Sequence, residues 1–209
     1  MKRRFHRAPR LAIKPGRAMS WLALRLMRLF GWSIEGEVPA VPKWIGLGVY
    51  HTSNWDFLVM LGAAFYFRIR AYWIGKETLF RKPFGTLMRW LGGIPIRRDK
   101  SYNAVQQVVD EIGRHEKIII IVAPEGTRNH VDHWKSGFYY MALNANIPIV
   151  LSYINYKRKA VGLGPLLYPT GDIEADFAKM REFYAANGAG RFPEKQGEIR
   201  IREKPASES

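Results

Sequence analysis

The sequence predicts an α/β fold in which helices flank a sheet, and three observations support this class. Strand-like and helix-like segments alternate along the chain. The run from Ile118 to Ile121 has the length and β-branched composition of a buried strand. Residues 101–115 carry apolar side chains at helical spacing, among them Val105 and Ile112. In this fold class, functional side chains collect at the ends of strands.

The elements are predicted in the following order. Strands are expected at residues 43–50, 70–74, 93–97, 117–122, 148–156 and 197–202, the last as an edge strand. Helices are expected at residues 56–67, 101–115, 137–145 and 172–186. The glycine pairs Gly46-Leu47-Gly48 and Gly162-Leu163-Gly164 lack the third glycine of a dinucleotide fingerprint, and we interpret both as turns.

Length, composition and charge limit the possible classes of protein. A chain of 209 residues can form one domain with a substantial core and peripheral additions. The absence of cysteine excludes disulfides, thiolate metal sites and a cysteine nucleophile. The net charge of +15 is concentrated: residues 1–28 hold nine basic residues and no acid, and residues 68–100 hold nine basic against two acidic ones, a net of +7. This clustering indicates an anionic surface as a partner.

The amino-terminal segment has the pattern of a helix that lies on a membrane surface. On a helical wheel, a narrow cationic and aromatic ridge borders a very wide apolar face. The ridge consists of Lys14, Arg17, Trp21, Arg25, Arg28 and Trp32. A helix packed on the domain with its basic edge in water explains the pattern equally well. We therefore divide the chain into a basic amphipathic segment (1–35), an α/β domain (36–203) and a polar tail (204–209).

Three further types of segment fit residues 1–35 less well. A transmembrane span is disfavoured because the apolar stretches are shorter than about 20 residues. A cleaved signal peptide is disfavoured because Arg25 and Arg28 interrupt the apolar core that it would need. An organelle transit peptide, which is also rich in arginine and free of acids, stays as a third alternative.

His51 and Asp56 carry the residue types of a catalytic pair. A histidine beside a carboxylate suits general-base catalysis, because the ring takes a proton near neutral pH and the acid fixes its tautomer. Five positions correspond to about 140° on a regular helix, so both side chains cannot point into one site from within a helix. We therefore place His51 at a strand-to-helix turn and Asp56 in the first helical turn. A structural histidine satisfied by the aspartate is the plain alternative.

A second polar stretch, residues 122–129, follows the strand predicted at 117–122. It offers Arg128 and a turn at Gly126, which suit the binding of a phosphate. A tight turn with a solvated arginine is the plain alternative here. Together, the two stretches suggest that a hydroxyl is deprotonated beside an anchored phosphate.

Four ordered blocks place these stretches in a wider pattern. A histidine precedes an aspartate by five positions, a glycine-apolar stretch ends in Arg98, a Pro-Glu-Gly-Thr-Arg turn occupies residues 124–128, and an apolar strand contains Pro148. In these blocks, which span residues 50–152, the chain resembles the glycerolipid acyltransferase superfamily of lysophospholipid acyltransferases. The first and third blocks are close to literal matches. The resemblance covers about half of the chain and implies a mixed sheet flanked by helices.

The resemblance also assigns roles to residues. It implies that His51 is the general base and that Asp56 orients it. It implies that further residues bind the phosphate-bearing end of an acceptor. These residues are Arg98, Glu125, Gly126, Thr127, Arg128 and Lys135. No metal or organic cofactor is expected, because a thioester donor is already activated.

The implied reaction moves a fatty acyl group from acyl-CoA or acyl carrier protein to the hydroxyl of a lysophospholipid. The first expectation for the acceptor is 1-acylglycerol-3-phosphate, which would give phosphatidic acid. The implied location is peripheral, on the cytoplasmic face of the inner membrane, with an anionic membrane surface as a partner. The chain departs from the family pattern at Tyr50, Asn129 and residues 151–153, which replace a usual asparagine, a common serine and a Val-Pro-Val ending. These departures leave the acceptor more open than the chemistry.

Two alternatives stay open from the sequence. Within the enzyme class, the acceptor could be a lyso-ornithine lipid or lysophosphatidylethanolamine. Outside it, the chain could be a non-catalytic basic protein that binds membranes or nucleic acid, although no nucleic-acid module signature is present and no nucleic acid is expected. The loop His130-Val131-Asp132-His133 has metal-ligand residue types but no further ligands nearby, and we interpret it as a polar loop.

Overall fold

A seven-stranded sheet organises the molecule, which is described by a computed structural model over residues 13–96 and 104–201. The strands are β1 (Ser33–Glu35), β2 (Lys43–Leu47), β3 (Ala71–Lys76), β4 (Gly93–Ile96), β5 (Ile118–Val122), β6 (Ile149–Asn155) and β7 (Ala160–Leu167). Their order across the sheet is β1-β7-β6-β2-β5-β3-β4. The pair β6–β7 is antiparallel and the other neighbours are parallel. The expected mixed α/β fold is confirmed.

Helices connect most of the parallel strands. They are α1 (Arg17–Leu29), α2 (Trp55–Tyr66), α3 (Gly85–Trp90), α4 (Ala104–Gly113), α5 (Gly137–Ala145) and α6 (Ile173–Asn187). A short 3₁₀ helix, Glu77–Phe80, precedes α3, and another, Pro193–Lys195, follows α6. The predicted helices 56–67, 137–145 and 172–186 agree with α2, α5 and α6 to within one residue at each end.

Two apolar clusters lie on opposite sides of the sheet. The larger one joins α4, α5 and α6 to the strands through side chains such as Ile112, Phe138 and Phe177. The smaller one joins Met27 of α1 and Val59 of α2 to the strands β6 and β7. Successive residues of a strand point to opposite faces, and neighbours in β6 and β7 accordingly belong to different clusters. The α1–α2 pair therefore covers one face at the end of the sheet that carries β6 and β7.

The central strands bring two loops to the same edge. β2 and β5 pair in parallel, with Leu47 opposite Val122, so their carboxyl ends coincide. β2 also pairs in parallel with β6. The loop after β2 carries His51, and the loop after β5 carries Glu125. Parallel pairing thus places two stretches that are about seventy residues apart side by side, where ligands commonly bind in α/β folds.

The structure corrects two predictions about glycine-containing segments. Gly46 lies within β2 and Gly162 within β7, so neither glycine pair marks a turn. A Cβ atom at Gly162 would come within 2.7 Å of the Tyr153 hydroxyl and 2.9 Å of the Glu35 carbonyl oxygen. The glycine is therefore required by close packing between neighbouring strands, and β7 was not recognised as a strand for this reason.

The edge strand predicted at 197–202 is wrong over its described part, residues 197–201, which have no strand structure. Their alternating burial comes from packing against loops and helix α6. The carbonyl oxygens of Ile199 and Arg200 accept hydrogen bonds from the Arg181 side chain and the Trp134 amide. β1, which pairs with β7, was also not predicted, because three residues are too few for an alternating pattern.

Candidate active site

The two residues predicted to form the catalytic pair lie at the turn between β2 and α2. His51 follows β2, and Asp56 lies in the first turn of α2, as the sequence predicted. The Nδ1 atom of His51 lies 3.3 Å from Oδ2 of Asp56. The histidine side chain is 28% exposed and the aspartate side chain is fully buried. One ring nitrogen thus faces a buried carboxylate, and the other, Nε2, lies on the opposite side of the ring.

Three groups surround the carboxylate of Asp56. Its Oδ2 atom accepts a hydrogen bond of 2.7 Å from the Ser53 amide, and its Oδ1 atom accepts one of 2.7 Å from the Tyr156 hydroxyl. His51 is the third neighbour. A buried charge is tolerated when donors surround it, and the amino terminus of a helix also favours an anion. The site therefore holds Asp56 in one orientation.

Glu125 lies behind the histidine. Its Oε1 atom accepts a hydrogen bond of 3.2 Å from the His51 amide, and its side chain is 3% exposed. Among the described residues, its Oε2 atom has no hydrogen-bond partner. Burial raises the pKa of Glu125 from 4.5 to about 7, against the lowering effect of its hydrogen bonds. This residue, which the family resemblance assigns to acceptor binding, also fixes the backbone of the histidine.

The turn after β5 presents exposed polar residues. Gly126 has a φ of +63°, which favours glycine, and its amide donates to the Ala123 carbonyl oxygen. A Cβ atom at Gly126 would lie 3.1 Å from Nζ of Lys135. Thr127, Arg128 and Asn129 follow and are exposed. The structure thus brings Lys135 against the turn, as a shared anion site requires.

Arg98 is the other cation that the family resemblance assigns to phosphate binding. Arg98, which the resemblance places in the same pocket, lies outside the described residues. The shared pocket of Arg98 and Arg128 therefore stays a prediction.

Among the described residues, no group of three or more histidine and acidic side chains could hold a metal ion.

An apolar cavity of about 170 Å³ has His51 in its lining. It runs beneath α2 and is bordered by β2, β3, β5 and the edge of the β6–β7 hairpin. Its walls include Gly48, His51, Phe57, Met60, Trp73 and Ile121. A cavity with mostly apolar walls and a histidine in its lining suits a molecule that has a hydrocarbon chain and a reactive polar group.

Two features of the site were missed in the sequence. Tyr156 follows β6 and reaches Asp56 across one hundred positions of sequence. The loop after α6 also packs against the turn that carries His51. The Phe192 amide donates to Oγ1 of Thr52 at 3.3 Å, and the Arg191 guanidinium lies 5.4 Å from the ring centre of Trp55. A tyrosine at the carboxyl end of a predicted strand was the available signal for the first. No sequence signal identified the second.

Comparisons with known proteins agree with this geometry. The family model described as Acyltransferase matches residues 49–154. A 1-acyl-sn-glycerol-3-phosphate acyltransferase from Haemophilus influenzae is 30% identical over 136 residues, which cover 60% of this chain and 55% of that protein. A human 1-acyl-sn-glycerol-3-phosphate acyltransferase beta is 33% identical over 155 residues, covering 68% of this chain and 55% of that protein.

The solved structure of a 1-acyl-sn-glycerophosphate (LPA) acyltransferase from Thermotoga maritima shares the fold. The TM-score is 0.57 at 19% identity, over 80% of this chain and 75% of that one. This chain spans 55% of the length of each of the two curated relatives. The family match includes His51, Asp56 and the turn after β5, and it covers just over half of the 209 residues. The chain belongs to the acyltransferase family.

Proposed function

We propose that the chain is an O-acyltransferase that moves a fatty acyl group from acyl-CoA or acyl carrier protein to the hydroxyl of a lysophospholipid. The proposed acceptor is 1-acylglycerol-3-phosphate, and the product is phosphatidic acid. The observation that carries the proposal is the pairing of a buried, oriented Asp56 with His51, which lines an apolar cavity. The names of the curated relatives support the choice of acceptor.

In this mechanism, His51 is the general base. Nδ1 faces Asp56, so Nε2 takes the proton from the acceptor hydroxyl. At the same time, the oxygen of that hydroxyl attacks the carbonyl carbon of the thioester. A new carbon–oxygen bond forms, the carbon–sulfur bond then breaks, and the departing thiolate receives the proton from the imidazolium. Asp56 stabilises the imidazolium between these steps. Such general-base assistance contributes about 10²–10⁴ in rate, and positioning of the reactants contributes more.

The turn after β5 is the proposed anchor for the acceptor phosphate. Arg128 is exposed and can form charge-assisted hydrogen bonds with a phosphate, and Lys135 lies against Gly126. Thr127 adds a hydroxyl donor, and Arg98 is expected to join the site. Glu125 contributes indirectly, because it holds the histidine next to this turn.

The apolar cavity is the proposed site for the fatty acyl chain. Its walls come from α2 and the central strands, and His51 is part of its lining. An acyl chain in the cavity would therefore place its thioester carbonyl beside the base. Burial of each methylene contributes about 0.8 kcal/mol, so the cavity can favour long chains over short ones.

The amino-terminal segment is the proposed membrane contact, on the cytoplasmic face of the inner membrane. α1 buries Ala23 and Met27 against the domain. Several large apolar side chains of this segment remain exposed, namely Trp21, Leu22, Leu26, Leu29 and Phe30. Exposed apolar groups beside basic ones are the two features that hold a peripheral protein on anionic lipid. Among the helices in the described part of the chain, none has the length and apolarity needed to cross a bilayer.

A turnover assay tests the proposal. Purified protein is incubated with acyl-CoA, and separately with acyl carrier protein thioester, together with a panel of lysolipids. We expect formation of phosphatidic acid from 1-acylglycerol-3-phosphate. Turnover confined to a lyso-ornithine lipid or lysophosphatidylethanolamine would keep the reaction and correct the acceptor. Binding of anionic vesicles without turnover of any lysolipid would favour the non-catalytic alternative.

A further inference from the structure

Tyr156 occupies a position that the reaction described above does not use. It follows β6, outside residues 49–154, which match the acyltransferase family. Its hydroxyl donates a hydrogen bond of 2.7 Å to Oδ1 of Asp56, the oxygen on the side away from the atom that faces His51. The carboxylate is fully buried, so each donor that reaches it restricts its rotation.

The surroundings of Tyr156 hold its hydroxyl in place from two sides. Its backbone amide donates to the Ala189 carbonyl oxygen at 2.8 Å, which fixes the start of the side chain. Its ring packs edge-on against Trp32, with ring centres 5.0 Å apart and an interplanar angle of 85°. Trp32 is itself attached to the end of α1, because its amide donates to the Met27 carbonyl oxygen at 2.9 Å.

We propose that Tyr156 is a positioning residue for the catalytic pair, and that it acts on His51 only through the carboxylate of Asp56. The Ser53 amide holds one oxygen and Tyr156 holds the other, so the carboxylate plane is fixed and Oδ2 remains directed at Nδ1. The packing of Trp32 on Tyr156 connects the end of α1 to this carboxylate. This inference rests on the proposed function, because it concerns the same base.

The structure contains a matched control for this interaction. Tyr139 donates a hydrogen bond of 2.9 Å to Oδ2 of Asp176, another fully buried carboxylate. That pair joins α5 to α6, and neither residue borders the cavity at His51. Tyr139→Phe therefore removes the same kind of bond without contact with the catalytic pair.

The experiment is a double-mutant cycle on the full chain, measured as kcat and as KM for the acceptor. Tyr156→Phe removes a hydrogen bond to a charged group, so we expect kcat to fall by about 10- to 100-fold. The KM for the acceptor should stay within about twofold of the wild-type value. In an Asp56→Ala background, the same substitution should change kcat by less than about twofold, because both carboxylate oxygens are gone and Tyr156 has no acceptor there. Tyr139→Phe should leave kcat within about twofold of the wild type.

The outcomes separate the inference from the proposed function. Equal losses from Tyr156→Phe in the wild-type and Asp56→Ala backgrounds would overturn the inference while leaving the reaction in place. Absence of wild-type turnover with any lysolipid would instead reject the proposed function. If no turnover is found, the inference can still be tested by nuclear magnetic resonance of the isotopically labelled ring nitrogens of His51. These resonances should shift in Tyr156→Phe and not in Tyr139→Phe. Unchanged His51 resonances in Tyr156→Phe would overturn the inference.

Discussion

The two loops of the site differ in how firmly the fold holds them. In the proposed catalytic loop (residues 48–56), Asp56 is fully buried and accepts from two donors besides its contact with His51. The His51 amide in turn donates to Glu125. In the turn after β5, residues 127–129 are exposed, and one hydrogen bond among them, 3.4 Å long, lies in solvent. Buried hydrogen bonds thus hold the first loop, whereas the second exposes Arg128 to water.

This difference indicates a division of labour. Groups that transfer a proton react faster when the fold already aligns them, because misplacement by about 1 Å can cost as much as 10²-fold in rate. A cation that captures a phosphate needs access more than alignment. Changes in the catalytic loop should therefore reduce kcat, whereas changes in the turn should reduce the use of one substrate. Four sets of variants test this separation, in order of decreasing effect.

The largest effect is expected from Asp56→Asn. The change removes the charge that stabilises the imidazolium and the acceptor that fixes the tautomer of His51. We expect kcat to fall by about 10²–10⁴, with little change in KM for either substrate. The control is Asp176→Asn, which alters a buried carboxylate that Tyr139 holds away from the site. A comparable loss of kcat in both variants would mean that the loss reflects the fold and not the catalytic loop.

The next effect concerns pH and stability. The pKa of Glu125 is raised to about 7, so the folded state holds its proton more tightly than the unfolded chain does. The free energy of unfolding that this bound proton contributes is fully present below pH 4.5. It is lost as the pH rises through about 7. The loss amounts to about 3 kcal/mol, from the difference between the two pKa values.

Glu125→Gln should abolish this pH dependence, because an amide stays neutral and can still accept from the His51 amide. The measurement is the free energy of unfolding in denaturant at about pH 5 and about pH 8, on either side of the raised pKa. We expect the wild type to lose more stability than the variant between these two conditions. Identical losses would mean that Glu125 is ionised at neutral pH in spite of its burial.

Arg128→Ala tests the other half of the comparison. Loss of a charge-assisted contact costs about 1.5–3 kcal/mol, which corresponds to about 10- to 100-fold in kcat/KM for the acceptor. KM for the acyl donor should not change. Arg114→Ala, which removes a cation paired with Glu111 at 3.0 Å, is the control. If Arg128→Ala lowers kcat/KM equally for the acceptor and for the acyl donor, the turn is not a specific acceptor site.

The smallest effect on the chemistry is expected from the amino-terminal helix. Leu26→Glu with Phe30→Glu charges two exposed positions, 48% and 67% accessible, and should release the protein from anionic vesicles. Activity on membrane-embedded lysolipid should fall more than activity on a short, water-soluble analogue. Tyr168→Glu, at an exposed aromatic outside α1, is the control. Equal losses on both substrates with a lowered Tm would show that α1 acts as core structure.

The sequence predicted those parts of the molecule that have a local cause. The strand-to-helix turn at His51 follows from the spacing of the pair, and α4 follows from apolar side chains at helical spacing. β7 was missed because Gly162 is required by close packing between strands, which a single sequence does not reveal. Tyr156 and the buried setting of Glu125 were missed for a similar reason, since both depend on contacts between distant segments.

His51 is proposed as the base that activates an acceptor hydroxyl, and the whole mechanism depends on this role. It is best tested by acyl transfer from acyl-CoA to 1-acylglycerol-3-phosphate by the wild type and His51→Ala, with vesicle binding and Tm measured on the same preparations. We expect a loss of at least about 10³ in kcat, with unchanged vesicle binding and Tm. A His51→Ala protein that forms phosphatidic acid at the wild-type rate would contradict the mechanism.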